Sequence, residues 1–191
     1  YGTGCFLLTN IGTKIKYSKN KLLTSIAYQF NGKTYYCIEG SIFIAGAAIQ
    51  WLRDGIKIIK SASETEKLYK KADIEQNIYF IPAFTGIGAP HWQPHVRGSI
   101  YGINRNTGIP EIVNATIRSI GFQTKDLVKS LENDTNIKIL YIKVDGGMVN
   151  NTAFVQFLSD ILNIRIVLPK NIEITALGVA YLAGLKNGII K

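Results

Sequence analysis

Leu22-Leu23-Thr24-Ser25-Ile26-Ala27-Tyr28-Gln29-Phe30-Asn31-Gly32-Lys33-Thr34-Tyr35-Tyr36-Cys37-Ile38 is the stretch on which the fold turns. Asn31-Gly32 tolerates the two positive φ angles of a type I′ turn, so it predicts a two-residue hairpin. The flanking runs, Leu22 to Tyr28 and Lys33 to Ile38, are rich in β-branched and aromatic side chains and supply its strands. Upstream, Cys5-Phe6-Leu7-Leu8 is a further apolar run. The expectation is a meander of three consecutive antiparallel strands.

Beyond the hairpin the apolar spacing becomes helical. Ala45, Ile49, Leu52 and Ile56 predict a helix over 44–59, with Arg53, Asp54 and Lys57 off the apolar stripe. Ser63 to Lys71 predicts a short exposed helix, with Ser63 and Glu66 forming a capping box. Tyr79-Phe80-Ile81-Pro82 is a short strand leading into a Gly/Pro-rich loop, 83–98, of a length usually associated with function or disorder. From Pro110, the residues Val113, Ile117, Ile120, Thr124, Leu127 and Leu131 mark the core face of a helix of about six turns. Ile137 to Val144 reads as a buried strand, Asp145-Gly146-Gly147 as a turn, and Phe154, Phe157, Leu158, Ile161 and Leu162 as the inner face of a helix. Arg165 to Leu168 predicts a last strand. Thr175 to Lys186 predicts a helix in which Gly178 and Gly184 imply close backbone packing. Three antiparallel strands followed by alternating helices and strands define an α/β class. The expectation is a mixed sheet of about five strands with helices on its faces, the architecture of an RNase H-like lobe, in one domain over 1–191.

Composition narrows the function classes. The chain has 22 Lys and Arg against 13 Asp and Glu, a formal net charge of +9 over 191 residues. The basic residues are dispersed without a run of like charge, which describes a solvated surface and no nucleic-acid interface; a polyanion-binding domain is the alternative that charge alone motivates. Cys5 and Cys37 have neither CxxC spacing nor neighbouring histidines, so no zinc site or disulfide framework is indicated. His91 and His95 are spaced i, i+4, but Pro90 and Pro94 oppose a helix there and no further ligand completes a set. Ser41, Ser99 and Ser119 lie in no nucleophile elbow, and no Walker A sequence occurs. Trp51 and Trp92 read as packing residues. Without a membrane-length apolar run or a signal-peptide pattern, the chain is expected to be cytoplasmic. It opens without Met and enters an apolar run at once, so a preceding segment is expected.

Two glycine turns could hold phosphate. Gly2-Thr3-Gly4 leads into the first strand, and Gly146-Gly147 lies between a strand and a helix, where free N–H groups favour anions. Thr3 can add a hydroxyl donor.

The motifs in order are Tyr1-Gly-Thr-Gly-Cys-Phe6, Glu39-Gly-Ser-Ile-Phe-Ile-Ala-Gly-Ala-Ala-Ile-Gln-Trp-Leu-Arg-Asp54, Pro82-Ala-Phe-Thr-Gly-Ile-Gly-Ala-Pro90, Val144-Asp-Gly-Gly147 with Asn151, and Thr175-Ala-Leu-Gly-Val-Ala-Tyr-Leu-Ala-Gly184. Together they resemble the FGGY carbohydrate kinases over nearly the whole chain. Phe6, Trp51-Leu-Arg-Asp54 and Gly86-Ile-Gly-Ala-Pro90 look like the members that act on glycerol; the alternative is a member acting on a pentulose or another polyol. The resemblance implies two actin-like lobes with ATP and substrate in the cleft between them. This chain resembles the C-terminal lobe, and the N-terminal lobe, the catalytic base and the substrate clamps would lie outside it. The resemblance implies that Thr3 meets the terminal phosphates and that Gly46 and Gly147 give close backbone approach to the phosphate chain and nucleoside. It places Gln50 near the ribose, Asn151 on adenine and Phe6 against the carbon chain of glycerol. The implied reaction, with Mg²⁺, gives glycerol 3-phosphate and ADP. It implies a lobe inactive alone and a homo-oligomer at full length. Arg118 departs from the family pattern, which usually has Asp, Glu or Gln there.

Overall fold

The computed structural model describes residues 1–170 and 174–190. Its first three strands are β1 (Cys5–Gly12), β2 (Leu23–Phe30) and β3 (Lys33–Ile42), all antiparallel. Asn31 and Gly32 take φ of 48° and 72°, the left-handed pair that the type I′ turn needs. The strand order, however, is β1-β3-β2, so the three do not form a simple meander. β1 pairs with β3 from Cys5 opposite Ile42 to Thr9 opposite Ile38. The centre goes to the strand with the most buried face: Ile38 and Ile42 of β3 are fully enclosed, whereas Leu23, Ile26 and Phe30 of β2 are exposed.

α1 (Gly46–Gln50) passes directly into a π turn over Trp51–Gly55. The Ile56 amide donates to the Trp51 carbonyl five residues back, at 3.0 Å, and the helix ends there, short of position 59. Ala45, Ile49 and Leu52 are buried as expected, but the wider turn rotates Ile56 out to solvent. α2 (Glu64–Lys71) packs against the next two long helices and is not an isolated exposed element. Its Ser63 makes no side-chain cap bond, so the capping box does not form.

β4 (Tyr79–Ile81) and β5 (Ser99–Tyr101) form a small antiparallel ladder. The intervening loop is well anchored: its Ala89 amide donates to the Ser41 carbonyl at 3.1 Å. Trp51 stacks on Phe80, and Trp92 Nε1 donates to the Lys21 carbonyl at 2.7 Å, so both tryptophans act in packing. His91 faces Asp126 at 3.1 Å.

α3 (Ile109–Thr135) is the core element. Its six expected stripe residues, Val113, Ile117, Ile120, Thr124, Leu127 and Leu131, are all at most 2% exposed. Pro110 sits in its first turn, and the Glu111 carboxylate accepts from the Gly108 and Asp73 amides. β6 covers only Tyr141–Lys143, because the residues before it fold back onto α3. The Ile139 amide donates to the Glu132 carboxylate at 2.8 Å, and Ile137 and Leu140 are exposed. α4 (Thr152–Leu162) then crosses to β7 (Arg165–Val167), which runs parallel to β6. α5 (Ile174–Lys186) follows. Close packing occurs at Gly184, where a Cβ would lie 2.9 Å from Ile190, but at Gly178 a Cβ would meet open space.

The expected class of three antiparallel strands followed by alternating helices and strands is present. Among the described residues the strands fall into three separate ladders, not one sheet of five. Besides the shared core, Tyr1 ties the start of the first ladder to the turn after β6: its amino group donates to the Asp145 carbonyl at 2.9 Å, and its carbonyl accepts from the Met148 amide at 3.4 Å.

Candidate functional site

That seam opens into a cavity of about 530 Å³. Segments remote in sequence line it: the Tyr1–Thr3 turn, α1 with the π turn after it, the start of α2, Ile117 of α3, and the Gly147–Asn151 turn. Thr3, Gly46, Gln50, Gly147 and Asn151 all line it. Phe6 does not. It projects from β1, paired with Ser41 and 71% exposed, on the outer face of the strand ladder.

The glycines differ in what requires them. Gly146 has φ of 89°, and a Cβ there would lie 2.5 Å from the Tyr1 carbonyl, so the turn needs glycine on both counts. A Cβ on Gly46 would lie 2.6 Å from the Gly2 carbonyl, which instead accepts the Gly46 amide at 2.9 Å. The Thr3 carbonyl likewise accepts from Ala45 and Ala47. The amide of Gly46 is therefore engaged within the fold, and its backbone supports the turn that carries Thr3. At Gly147 a Cβ would meet nothing within 4 Å. The space beside it is cavity.

Asn151 caps α4. Its Oδ1 accepts from the Phe154 amide at 3.0 Å, and its Nδ2 donates to Thr65 Oγ1 at 3.0 Å. Thr65, 3% exposed, donates its own hydroxyl to the Ala62 carbonyl at 2.6 Å. Next to it, Glu66 accepts from Thr152 Oγ1 at 2.7 Å and from Lys70 Nζ at 2.6 Å. The Lys70 bond and then the Thr152 bond push its carboxyl down to about 2, so Glu66 is ionised at neutral pH with Lys70 as its counter-charge. Arg53 also lines the cavity and makes two 2.7 Å bonds to Asp54.

The floor is apolar and neutral. The Tyr1 ring packs edge-on to Phe154 at 5.1 Å, and its hydroxyl is 3.0 Å from Thr124 Oγ1. Burial pushes the Tyr1 phenol well up and the Cys5 thiol up to about 11, so neither is a base at neutral pH. Both cysteines are free and buried. Arg118 lies off the cavity, its guanidinium 5.5 Å and 5.7 Å from the Phe122 and Phe157 ring centroids.

Sequence reasoning missed Tyr1, Thr65 and Glu66 as parts of this site. Thr65 and Glu66 sit on a helix read as exposed, and nothing in their local pattern signals that α2 docks on α4. Tyr1 belonged to a quoted motif, but its bonds to the Gly146 turn exist only in three dimensions.

An antiparallel ribbon, alternating helices and strands, and a glycine-lined cleft where they meet make this an α/β lobe of the actin-like ATPase class. The model of the "FGGY family of carbohydrate kinases, C-terminal domain" matches residues 1–186, and the chain belongs to that family. It is 53% identical over 191 residues to the glycerol kinase of Sinorhizobium fredii, covering 99% of this chain and 38% of that protein. Glycerol kinase 2 of Thermotoga maritima is also 53% identical over 191 residues, at 100% and 38% coverage. The crystal structure of Plasmodium falciparum glycerol kinase with ADP superposes with a TM-score of 0.90 at 43% identity, over 100% of this chain and 38% of that one. A ligand-bound xylulose kinase from Lactobacillus acidophilus shares the fold, with a TM-score of 0.83 at 24% identity, over 100% of this chain and 38% of that one. The chain thus spans 38% of the length of these relatives.

Proposed function

We propose that this chain is the nucleotide-binding C-terminal domain of a glycerol kinase. The observation that carries the proposal is convergence: Thr3, Gly46, Gln50, Gly147 and Asn151, drawn from both ends of the chain, line one cavity. The names of the relatives supply the substrate, and the ADP in the Plasmodium structure's title supplies the nucleotide class. The reaction moves the γ-phosphoryl group of ATP to a primary hydroxyl of glycerol, forming a new P–O bond and releasing ADP. The hydroxyl proton goes to a base outside this chain.

In this reading the domain's work is positioning. Phosphoryl transfer relies on alignment and charge stabilisation, so a rigid cradle for the nucleotide contributes without supplying a nucleophile. Thr3 faces the terminal phosphates, the open space at Gly147 admits the nucleoside, Gln50 lies toward the ribose, and Asn151 presents its amide to the base. Phe6, outside the cavity, offers an apolar surface to glycerol. Mg²⁺ is proposed to travel with the phosphates. Among the described residues no group of three His, Cys, Asp or Glu could cage a metal, and Glu66, the carboxylate on the cavity wall, is already bonded to Lys70 and Thr152. Among the described residues no helix is long and apolar enough to cross a membrane.

The test is a coupled assay on the full-length enzyme with ATP and a panel of glycerol, xylulose and gluconate. Glycerol should be preferred by at least tenfold in kcat/KM. A pentulose preferred over glycerol would overturn the substrate assignment, and no nucleotide-dependent phosphorylation of any of them would overturn the kinase reading.

A further inference from the structure

Thr65 occupies an unusual place in the cavity wall. Its hydroxyl hydrogen goes to the Ala62 carbonyl at 2.6 Å, so toward Asn151 its oxygen can only accept. Asn151 Nδ2 donates to that oxygen at 3.0 Å, while Asn151 Oδ1 accepts from the Phe154 amide at 3.0 Å. Reversing the amide would set oxygen against an oxygen with no hydrogen to give, and N–H against N–H. Both contacts oppose the reversal, and only one of them belongs to the helix cap.

A second tie holds the same two helical turns together. Glu66, the neighbour of Thr65, accepts from the Thr152 hydroxyl at 2.7 Å and from the Thr152 amide at 3.3 Å. The first turn of α2 is thereby fastened to the first turn of α4, with Thr65 and Asn151 both on the cavity wall. After these bonds the Asn151 amide has one N–H and one oxygen lone pair left to offer a ligand, in a fixed order. An amide that offers donor and acceptor side by side matches the edge of adenine, which carries an N–H donor beside a ring-nitrogen acceptor. Guanine offers two acceptors along the corresponding edge.

We propose that Thr65 is a positioning residue that sets the purine preference of this site by fixing the orientation of the Asn151 amide. The inference rests on the nucleotide-binding reading above and adds to it a residue and a specificity.

The experiment uses the full-length enzyme with saturating glycerol and compares ATP with GTP for Thr65→Val, Thr65→Ser and Asn151→Ala. Thr65→Val retains the shape but removes the acceptor. It should raise the KM for ATP about tenfold, leave kcat within about twofold, and narrow the ATP-over-GTP preference in kcat/KM about tenfold; that tenfold step is the size expected for one hydrogen bond. Thr65→Ser keeps the hydroxyl and should restore the wild-type preference. In an Asn151→Ala background, Thr65→Val should cause little further change in preference, because the group it orients is gone. Equal losses for ATP and GTP, or a loss in preference that adds in full to that of Asn151→Ala, would make Thr65 merely structural and overturn the proposal. A wild-type enzyme that turns over with neither nucleotide would instead defeat the underlying reading, so the two failures are distinguishable.

Discussion

At Gly147 a methyl group would meet no heavy atom within 4 Å, whereas at Gly46 it would lie 2.6 Å from the Gly2 carbonyl oxygen. The same residue type therefore borders open cavity at one position and answers to close backbone packing at the other. Gly147→Val should leave the thermal midpoint within about 3 °C of wild type, a shift that corresponds to no more than about 1 kcal/mol in a domain of this size. It should nevertheless raise the KM for ATP at least tenfold in the full-length enzyme, with little effect on glycerol. Gly46→Val should do the reverse in kind, destabilising the fold by about 1–3 kcal/mol because backbone must move to admit the side chain. Phe6→Ala, on an exposed position outside the cavity, should raise the KM for glycerol and spare ATP. Steady-state kinetics with each substrate varied, alongside thermal melts, read all three. If Gly147→Val impairs ATP and glycerol alike, the cavity is not a nucleotide site. All five proposed nucleotide residues were legible in sequence only through motif order. Composition and periodicity gave no reason to bring Thr3 near Asn151, because their convergence depends on the Tyr1 turn meeting the Asp145–Met148 turn in three dimensions.

Elements were legible where one periodicity dominated. The α3 stripe came through whole because its apolar residues repeat at helical spacing over the full length and every one is packed into the core. Strand order was not legible, since an Asn-Gly turn fixes which two strands form a hairpin but says nothing about which of them a third strand joins. The π turn in Trp51–Gly55 was hidden for a similar reason: a single wide turn changes the facing of Ile56 without changing the residue pattern. Also missed was the tie between the loop before β2 and the end of α3. Asp134, 6% exposed, accepts from the Ser18 hydroxyl, the Lys19 and Asn20 amides and the Asn20 side chain. Burial pushes its carboxyl up, but the bonds from Ser18, Asn20 and Lys19 together outweigh this and hold it below its ordinary value. A carboxyl depressed in the folded state contributes stability above its unfolded pKa and loses it as pH falls through the folded one. Asp134→Asn should therefore destabilise the domain by about 1–3 kcal/mol at pH 7, and the gap from wild type should shrink as pH drops below about 4. Urea unfolding at pH 7, 5 and 3.5 measures it; a gap constant across that range would show that the charge of Asp134 does not matter.

On the scale of the whole molecule, the cavity lies where separate ladders meet. Tyr1 spans the seam through its amino group to Asp145 and its carbonyl to Met148, and the first turns of α2 and α4 close the far wall through Thr65, Asn151, Glu66 and Thr152. A nucleotide bound there would touch segments that come from remote parts of the chain. Binding to the folded state alone stabilises it by about 2.7 kcal/mol at a ligand concentration 100 times Kd, and local openings that break the site must oppose the same term. Saturating ADP should therefore slow amide hydrogen exchange in three remote segments together, namely 46–50, 64–68 and 147–154. The β4–β5 ladder, whose residues do not line the cavity, should exchange at an unchanged rate and serves as the internal control. Asn151→Ala should abolish the coordinated slowing at 64–68 more than at 46–50, because it severs the contact with Thr65 while leaving the bonds among Gly2, Thr3 and α1 intact. Exchange followed by mass spectrometry on the full-length protein, with and without ADP, resolves each segment. Uniform slowing across the molecule, including the β4–β5 ladder, would mean general stabilisation and not a ligand held in this seam. No slowing in any of the three segments would place the nucleotide elsewhere.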